Sequence, residues 1–232
     1  MAALISVKDM SFRFSSEWIF NGSSFEIQRG ETVVFLGPSG VGKSVLLKLL
    51  AGLLLSTEGE IAISDAETLK VGMLFQKNAL FDSKTALENV AFALRETSSS
   101  MSEKVVMDLS QEILNQVGLG SAALLLPAEM SGGMQKRLGI ARAMVLQPHL
   151  AFFDDPTAGL DPITSRKIIQ LILNLKSQRE MTLLTVTNDL LRVRELAQRV
   201  FFLHEEKVID LGSPEQAWKT SSARVKEFLY GR

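Results

Sequence analysis

Eight consecutive residues, Gly37-Pro38-Ser39-Gly40-Val41-Gly42-Lys43-Ser44, fit G-x-x-x-x-G-K-[ST] without exception. A loop of this composition can curl successive backbone N–H groups around phosphate oxygens, and a helix starting at its end adds a favourable dipole. The glycines leave no side chain in the way of that approach. Lys43 is placed to meet the β- and γ-phosphates and the Ser44 hydroxyl to ligate Mg²⁺, so ATP and Mg²⁺ are the expected cofactors. A chance glycine turn is the competing reading. The flanks oppose it: Thr32–Leu36 is a short β-rich apolar run, and Val45–Leu55 is an apolar run suited to a buried helix.

A phosphate loop needs a carboxylate partner. Ala151-Phe152-Phe153-Asp154-Asp155 is an apolar strand ending in two acids. Asp154 is placed to hold Mg²⁺ through water, and Asp155 to orient or deprotonate the attacking water. Standing alone, such a pair would more often cap a helix; beside the phosphate loop the catalytic reading prevails. Between the two motifs lies Met130-Ser131-Gly132-Gly133-Met134-Gln135-Lys136-Arg137. A serine and two glycines opening a helix make a second anion site. If it lies far from the chain's own loop, it can serve the γ-phosphate of a facing copy.

The elements that must carry these residues are legible in outline. Gly59–Ile63, Val71–Phe75, Leu150–Asp154, Thr182–Thr187 and Val200–Leu203 read as further short strands. Thr85 with Glu88 and Ser100 with Glu103 read as capping boxes, separated by the serine-rich Thr97–Ser100. Asp161-Pro162 and Ser213-Pro214, with Gln216, read as helix starts. Strands alternating with helices at both ends predict an α/β fold with a mainly parallel sheet covered on both faces. The middle, roughly 77–147, is nearly all helical and reads as an insert; residues 1–76 and 148–232 form the core around it.

The bulk numbers exclude several classes. The 232 residues suit one α/β domain, and 25 basic against 26 acidic residues give no attraction to nucleic acid. There is no cysteine, hence no disulfide, thiolate metal site or cysteine nucleophile. No run approaches the ~18 apolar residues of a membrane span, and the first ten residues lack a signal-peptide hydrophobic region. The chain is expected to stay where it is made, and any membrane link to come through a partner. His149 and His204 flank strands and suggest packing or surface roles. Met130, Met134 and Met144 suggest interface and core filling. Lys136, Arg137 and Arg142 suggest a solvated or phosphate-facing rim.

Taken together, the loop, the acid pair and the SGGM stretch resemble the ABC ATPases, over essentially the whole chain. The resemblance implies a RecA-like P-loop core, an N-terminal antiparallel β part, an inserted α-helical subdomain and a head-to-tail homodimer that sandwiches two ATPs. It also implies roles for single residues. Gln76 matches the Q-loop glutamine, which senses Mg²⁺ and lytic water and couples to the membrane subunit. Ala158-Gly159-Leu160-Asp161 matches the D-loop, Asn188 holds the H-loop position, and Phe14 matches the aromatic that stacks on adenine, with a core phenylalanine as its alternative.

Met134 after the two glycines, Phe75-Gln76 with Ala79-Leu80-Phe81, Glu88-Asn89-Val90-Ala91 and the tail Ala223–Leu229 are similar to the ATPases of MCE-linked lipid transporters of the Mla and Ttg2 type. That likeness implies an Mla-type integral-membrane permease, an MCE-domain protein, a small STAS-type regulator, and a place on the cytoplasmic side of the inner membrane. Three departures accompany it. Asp155 stands where the family usually has glutamate, shortening the base by about 1.5 Å of reach, a displacement that can cost ~10²-fold. Asn188 replaces the usual histidine and cannot carry charge. The segment between Lys43 and Gln76 is short, with the arm around Ser64–Leu69 trimmed. Slow hydrolysis after normal binding is therefore one expectation and a working Asp/Asn variant the other. A regulatory ATP-binding protein, or a transporter of amino acids or lipoproteins, competes with the lipid motor. A nucleic-acid-maintenance ABC ATPase would need a long coiled coil or tandem cassettes that this length does not hold.

Overall fold

The structure, a computed structural model, describes residues 3–97, 100–220 and 222–230. They form two compact units. The first holds the described residues up to Thr68, Phe152–Asp155, and those from Met181 onward; the second holds Leu69–Ala151 and Pro156–Glu180. The 77–147 segment read as a helical insert falls within the second unit.

In the first unit, β1 (Ala3–Phe14) pairs antiparallel with both β2 (Glu17–Gln28) and β4 (Glu58–Ile63), in the order β2-β1-β4. This is the expected N-terminal antiparallel part. β3 (Thr32–Leu36) is buried along its whole length and runs parallel to β7 (Thr182–Thr187) and β8 (Arg199–His204). Strands covered on both faces need continuous apolar runs, and TVVFL and VFFL supply them. β9 (Lys207–Gly212) returns antiparallel to β8, so the sheet is parallel in the main with an antiparallel margin. Phe25, Phe35 and Phe201, with ring centroids 5.1–6.1 Å apart, pack β2 onto β3 and β8.

β3 and β7 end in register, Leu36 opposite Thr187, and Leu36 also faces Phe202 on β8. The segments leaving β3 and β7 therefore emerge from one carboxyl edge. This is where open α/β sheets bind ligands.

Helix α1 (Lys43–Leu50) is shorter than the predicted 45–55. Gly52, at φ 70°, turns the chain, Leu53 N–H bonds the Lys48 carbonyl and Gly52 N–H that of Leu49. This is a Schellman stop, and it leaves Leu53 and Leu55 exposed instead of buried. α6 (Leu190–Leu196), α7 (Pro214–Trp218) and α8 (Ala223–Tyr230) complete this unit, α7 with the expected Ser213/Gln216 capping box. Residues 64–70 connect β4 to the next strand by a short turn.

The second unit holds β5 (Val71–Leu74), α2 (Ala86–Thr97), α3 (Glu103–Gln116), α4 (Gly132–Met144) and α5 (Pro162–Ser177). β6 (Leu150–Asp154) begins here and ends in the first unit. The Thr85/Glu88 box forms. The α3 cap is Ser102, not Ser100: its hydroxyl accepts the Val105 amide, two residues later than the sequence pattern suggested. Two serines of the predicted breaker, 98 and 99, lie outside the described residues.

Candidate functional site

In the first unit the phosphate loop leaves β3 at Gly37 and feeds α1. Gly42 caps α1 at φ 100°, a conformation open to glycine, and no side chain caps the helix. A Cβ there would lie 2.5 Å from Ile19 Cγ2, so β2 braces the loop from below. A helix start of this kind leaves its first amides available to an anion. The Lys43 amine donates to the carbonyls of Gly37 and Pro38, each at 2.8 Å, which folds it back over the loop. Burial lowers its pKa, and Asp155 and Asp154 oppose that shift.

The acid pair closes the site from β6. Asp154 is 5 % exposed, and Ser44 Oγ donates to its Oδ1 at 2.9 Å. A buried carboxylate beside a hydroxyl is a hard oxygen set that suits Mg²⁺, which takes one or two protein oxygens and completes its shell with phosphate and water. Asp155 follows at φ 44°, its amide bonded to the Val186 carbonyl and its Oδ1 accepting from Thr187 Oγ1 at 3.3 Å. Asn188 is an exposed bend residue just past β7. Asp189, next to it, caps α6 through the Leu191 and Arg192 amides.

Phe14, at the end of β1, is 54 % exposed and meets Phe12 edge-on at 4.9 Å; Phe12 and Phe20 are the buried pair. It is therefore not a core phenylalanine. Its free face is available for stacking.

The second unit carries Gln76, exposed in the turn after β5. Its carbonyl accepts from Lys136 Nζ at 3.0 Å, and Lys136 is 2 % exposed. The predicted basic rim is thus corrected. Lys136 is buried, Arg137 donates to the carbonyls of Val117 and Gly118, and Arg142 donates to those of Asn78 and Ala79 while lying over the Phe81 ring. These cations tie loops to α4, because turn carbonyls without strand partners need donors. Met130 and Met144 are core; His149 accepts the Lys70 amide through Nδ1.

Ser131 caps α4, accepting the Met134 amide at 3.3 Å. A hydroxyl that accepts can still donate, so its proton remains available to an anion. The glycines that follow have a further role. A Cβ on Gly133 would come 2.9 Å from Thr164 Cγ2 on α5, and one on Gly132 3.8 Å from Leu160 Cδ2. The SGGM stretch and the Ala158–Asp161 loop are thus neighbours, and Gly133 keeps them close. Asp161 caps α5 through Ile163 and Thr164, as expected of a cap followed by proline.

Residues 20–158 match the family model described as "ABC transporter". The chain belongs to the ABC transporter family. It is 36 % identical over 240 residues to the intermembrane phospholipid transport system ATP-binding protein MlaF of Haemophilus influenzae, covering 98 % of this chain and 90 % of the relative. It is equally identical over 244 residues to the probable ribonucleotide transport ATP-binding protein mkl of Mycobacterium leprae, covering all of this chain and 70 % of that one. Among solved structures, the dimeric post-hydrolysis state of the ATP-binding cassette MJ0796 bound to ADP and Pi superposes with a TM-score of 0.79 at 30 % identity, covering 88 % of this chain and 96 % of that one.

This ABC protein is therefore an ATPase, and ATP is its nucleotide. Two residues central to its geometry carried no assigned role in the sequence. Thr187 is hidden because threonine is an ordinary strand residue. Asn89 is fully buried inside α2, where a helical asparagine signals nothing by type alone.

Proposed function

We propose that this ABC ATPase energises movement of phospholipid between bacterial membranes. It does so as a head-to-tail homodimer seated on an integral-membrane permease at the cytoplasmic side of the inner membrane. The observation that carries the ATP half is the Ser44–Asp154 hydrogen bond, which joins the phosphate loop to a buried carboxylate. In this reading Gly37–Lys43 bind the phosphates and Phe14 the adenine. Ser44 and Asp154 would hold Mg²⁺, which would supply charge neutralisation at the phosphates, and Gln76 keeps the Mg²⁺-sensing role that the family resemblance implies. Asp155 serves as base, and Asn188 donates to the γ-phosphate. Ser131, Gly132 and Gly133 offer their hydroxyl and amides to the ATP of the second copy.

A cavity of about 490 Å³ in the second unit, lined by Val71, Phe75, Phe81, Phe92, Arg142 and Leu146 among others, suits a short apolar helix of the permease. An MCE-domain protein and a small STAS-type regulator complete the assembly. The near-neutral charge supports no nucleic-acid role.

Full-length likeness to the phospholipid protein supports the lipid substrate; the equal identity to the mycobacterial relative keeps nucleotides as the second reading. The test is the purified complex with its permease in vesicles, supplied with labelled phospholipid or ribonucleotide. ATP-dependent movement of phospholipid is expected; movement of ribonucleotide alone would overturn the substrate. Lys43→Ala should abolish ATP binding, whereas Ser131→Arg should spare monomer binding and block ATP-driven dimerisation. Dimerisation surviving Ser131→Arg would sink the shared site.

A further inference from the structure

Strand β7 presents two hydroxyls, Thr185 and Thr187, on one face at the period of two that a strand imposes. Both reach β6. Thr185 Oγ1 donates to the Phe153 carbonyl at 2.9 Å, and two residues on Thr187 Oγ1 donates to Asp155 Oδ1 at 3.3 Å. The first rung is structural: a hydroxyl on a backbone carbonyl. The second lands on the side chain read as the base.

Thr187 is 4 % exposed, and its Oγ1 also accepts the Asp189 amide at 3.1 Å. The bend carrying Asn188 is therefore spanned by one hydroxyl, which touches Asp155 on one side and the start of α6 on the other. The backbone is fixed in the same place. Asp155 N–H bonds the Val186 carbonyl at 3.0 Å, and Asp155 holds φ 44°, a left-handed conformation that persists in an ordinary residue when its surroundings impose it.

We infer that Thr187 is a positioning residue for ATP hydrolysis, its hydroxyl fixing the Asp155 carboxylate and coupling it to the Asn188 bend. The inference rests on Asp155 being the base. A short aspartate has one torsion fewer than glutamate, so the Thr187 contact restricts a larger share of its freedom. Misplacing a base by a fraction of an ångström lowers the chemical step without touching phosphate binding, which the loop amides and Lys43 supply.

The test is steady-state phosphate release by the full chain in its purified complex. Thr187→Val, isosteric but without the donor, should lower kcat about tenfold and leave the KM for ATP within about twofold. Thr187→Ser, which restores the hydroxyl, should keep most of the activity. Thr185→Val should leave kcat within about twofold. If valine at 187 does not fold, Thr187→Ala read against Thr187→Ser carries the same comparison. An unchanged kcat in Thr187→Val, a Ser variant as impaired as the Val variant, or an equal loss in Thr185→Val would each overturn the inference while leaving Asp155 as base. Full turnover in Asp155→Asn would overturn both.

Discussion

Asn89 offers the most direct check on how the second unit builds its cavity wall. Its side chain is fully buried and holds the turn that leads into α2. Oδ1 accepts the Phe81 amide at 2.9 Å, and Nδ2 donates to the carbonyls of Phe81, Lys84 and Thr85 at 2.9–3.1 Å. Not all of these would be orphaned by Asn89→Leu. The Phe81 carbonyl keeps the Lys84 amide, and the Thr85 carbonyl keeps the Asn89 amide. What loses its partner is the Phe81 N–H and the Lys84 carbonyl.

Each such group costs ~1–3 kcal/mol when left unpaired in the interior. Both lie in a half-buried turn, so the lower part of that range applies, about 2–3 kcal/mol in total. At 1.36 kcal/mol per decade that is on the order of 10²-fold in the local opening equilibrium. Hydrogen exchange read by mass spectrometry over residues 79–86 of the full chain should accelerate by about that factor, with the β3 and β8 peptides unchanged. Asn89→Asp keeps an acceptor for Phe81 but sets a carboxylate against carbonyls, and should do no better. Because Phe81 and Arg142 line the cavity, stimulation by the permease should fall while ATP binding persists. Exchange within threefold of the native chain in Asn89→Leu would refute the claim that this amide holds the turn.

Two shorter predictions concern Gly133 of the SGGM stretch and Asp161. Gly133→Ala pushes a methyl against Thr164 Cγ2, so ATP-driven dimerisation should weaken ~10-fold or more while monomer binding stays; Thr164→Ser, which removes that methyl, should restore it in the double variant. Asp161 is held below the ordinary aspartate pKa by the Thr164 hydroxyl first, then by the Thr164 and Ile163 amides. A depressed pKa means the cap contributes above the unfolded carboxylate value and is lost as pH falls through the lower folded one. Exchange protection at the start of α5 should therefore hold to below the usual aspartate range, and Asp161→Asn should flatten that dependence.

Much of this was legible in the chain itself. The phosphate loop, its flanking strand and the Asp161-Pro162 and Thr85/Glu88 caps are local features, set by residues within a few positions of each other. Helix length failed where a local signal was outranked: the apolar run to Leu55 suggests a longer helix, but Gly52 at positive φ ends it earlier. The basic residues of α4 failed for another reason. Charge suggests solvent, yet Lys136, Arg137 and Arg142 are drawn inward by turn carbonyls between 19 and 64 residues away. Gly133 was legible as a glycine of an anion site; that Thr164 stands over it is a tertiary fact with no sequence signature.

The remaining issue is speed, and the geometry sharpens it. Asp155 is one methylene shorter than the glutamate usual in the family and Asn188 carries no charge; with the roles proposed above, both substitutions bear on the same step, the handling of the attacking water and the γ-phosphate. Nothing in the binding half is weakened in parallel: Lys43, Ser44 and Asp154 keep a close-packed arrangement with 2.8–2.9 Å contacts. The two halves of the site are held by different structure, the loop by β3 and α1, Asp155 by the 185–189 segment. Reach and binding can therefore vary independently in this protein. A carboxylate that is short but oriented by Thr187 loses less than one that is short and free, because reorienting a mobile group adds to the barrier on top of the missing length. The Asp155–Thr187 contact is thus the place where a slow variant and a working one would differ, and the Asn188 bend, tied through the same hydroxyl, would report the γ-phosphate to it.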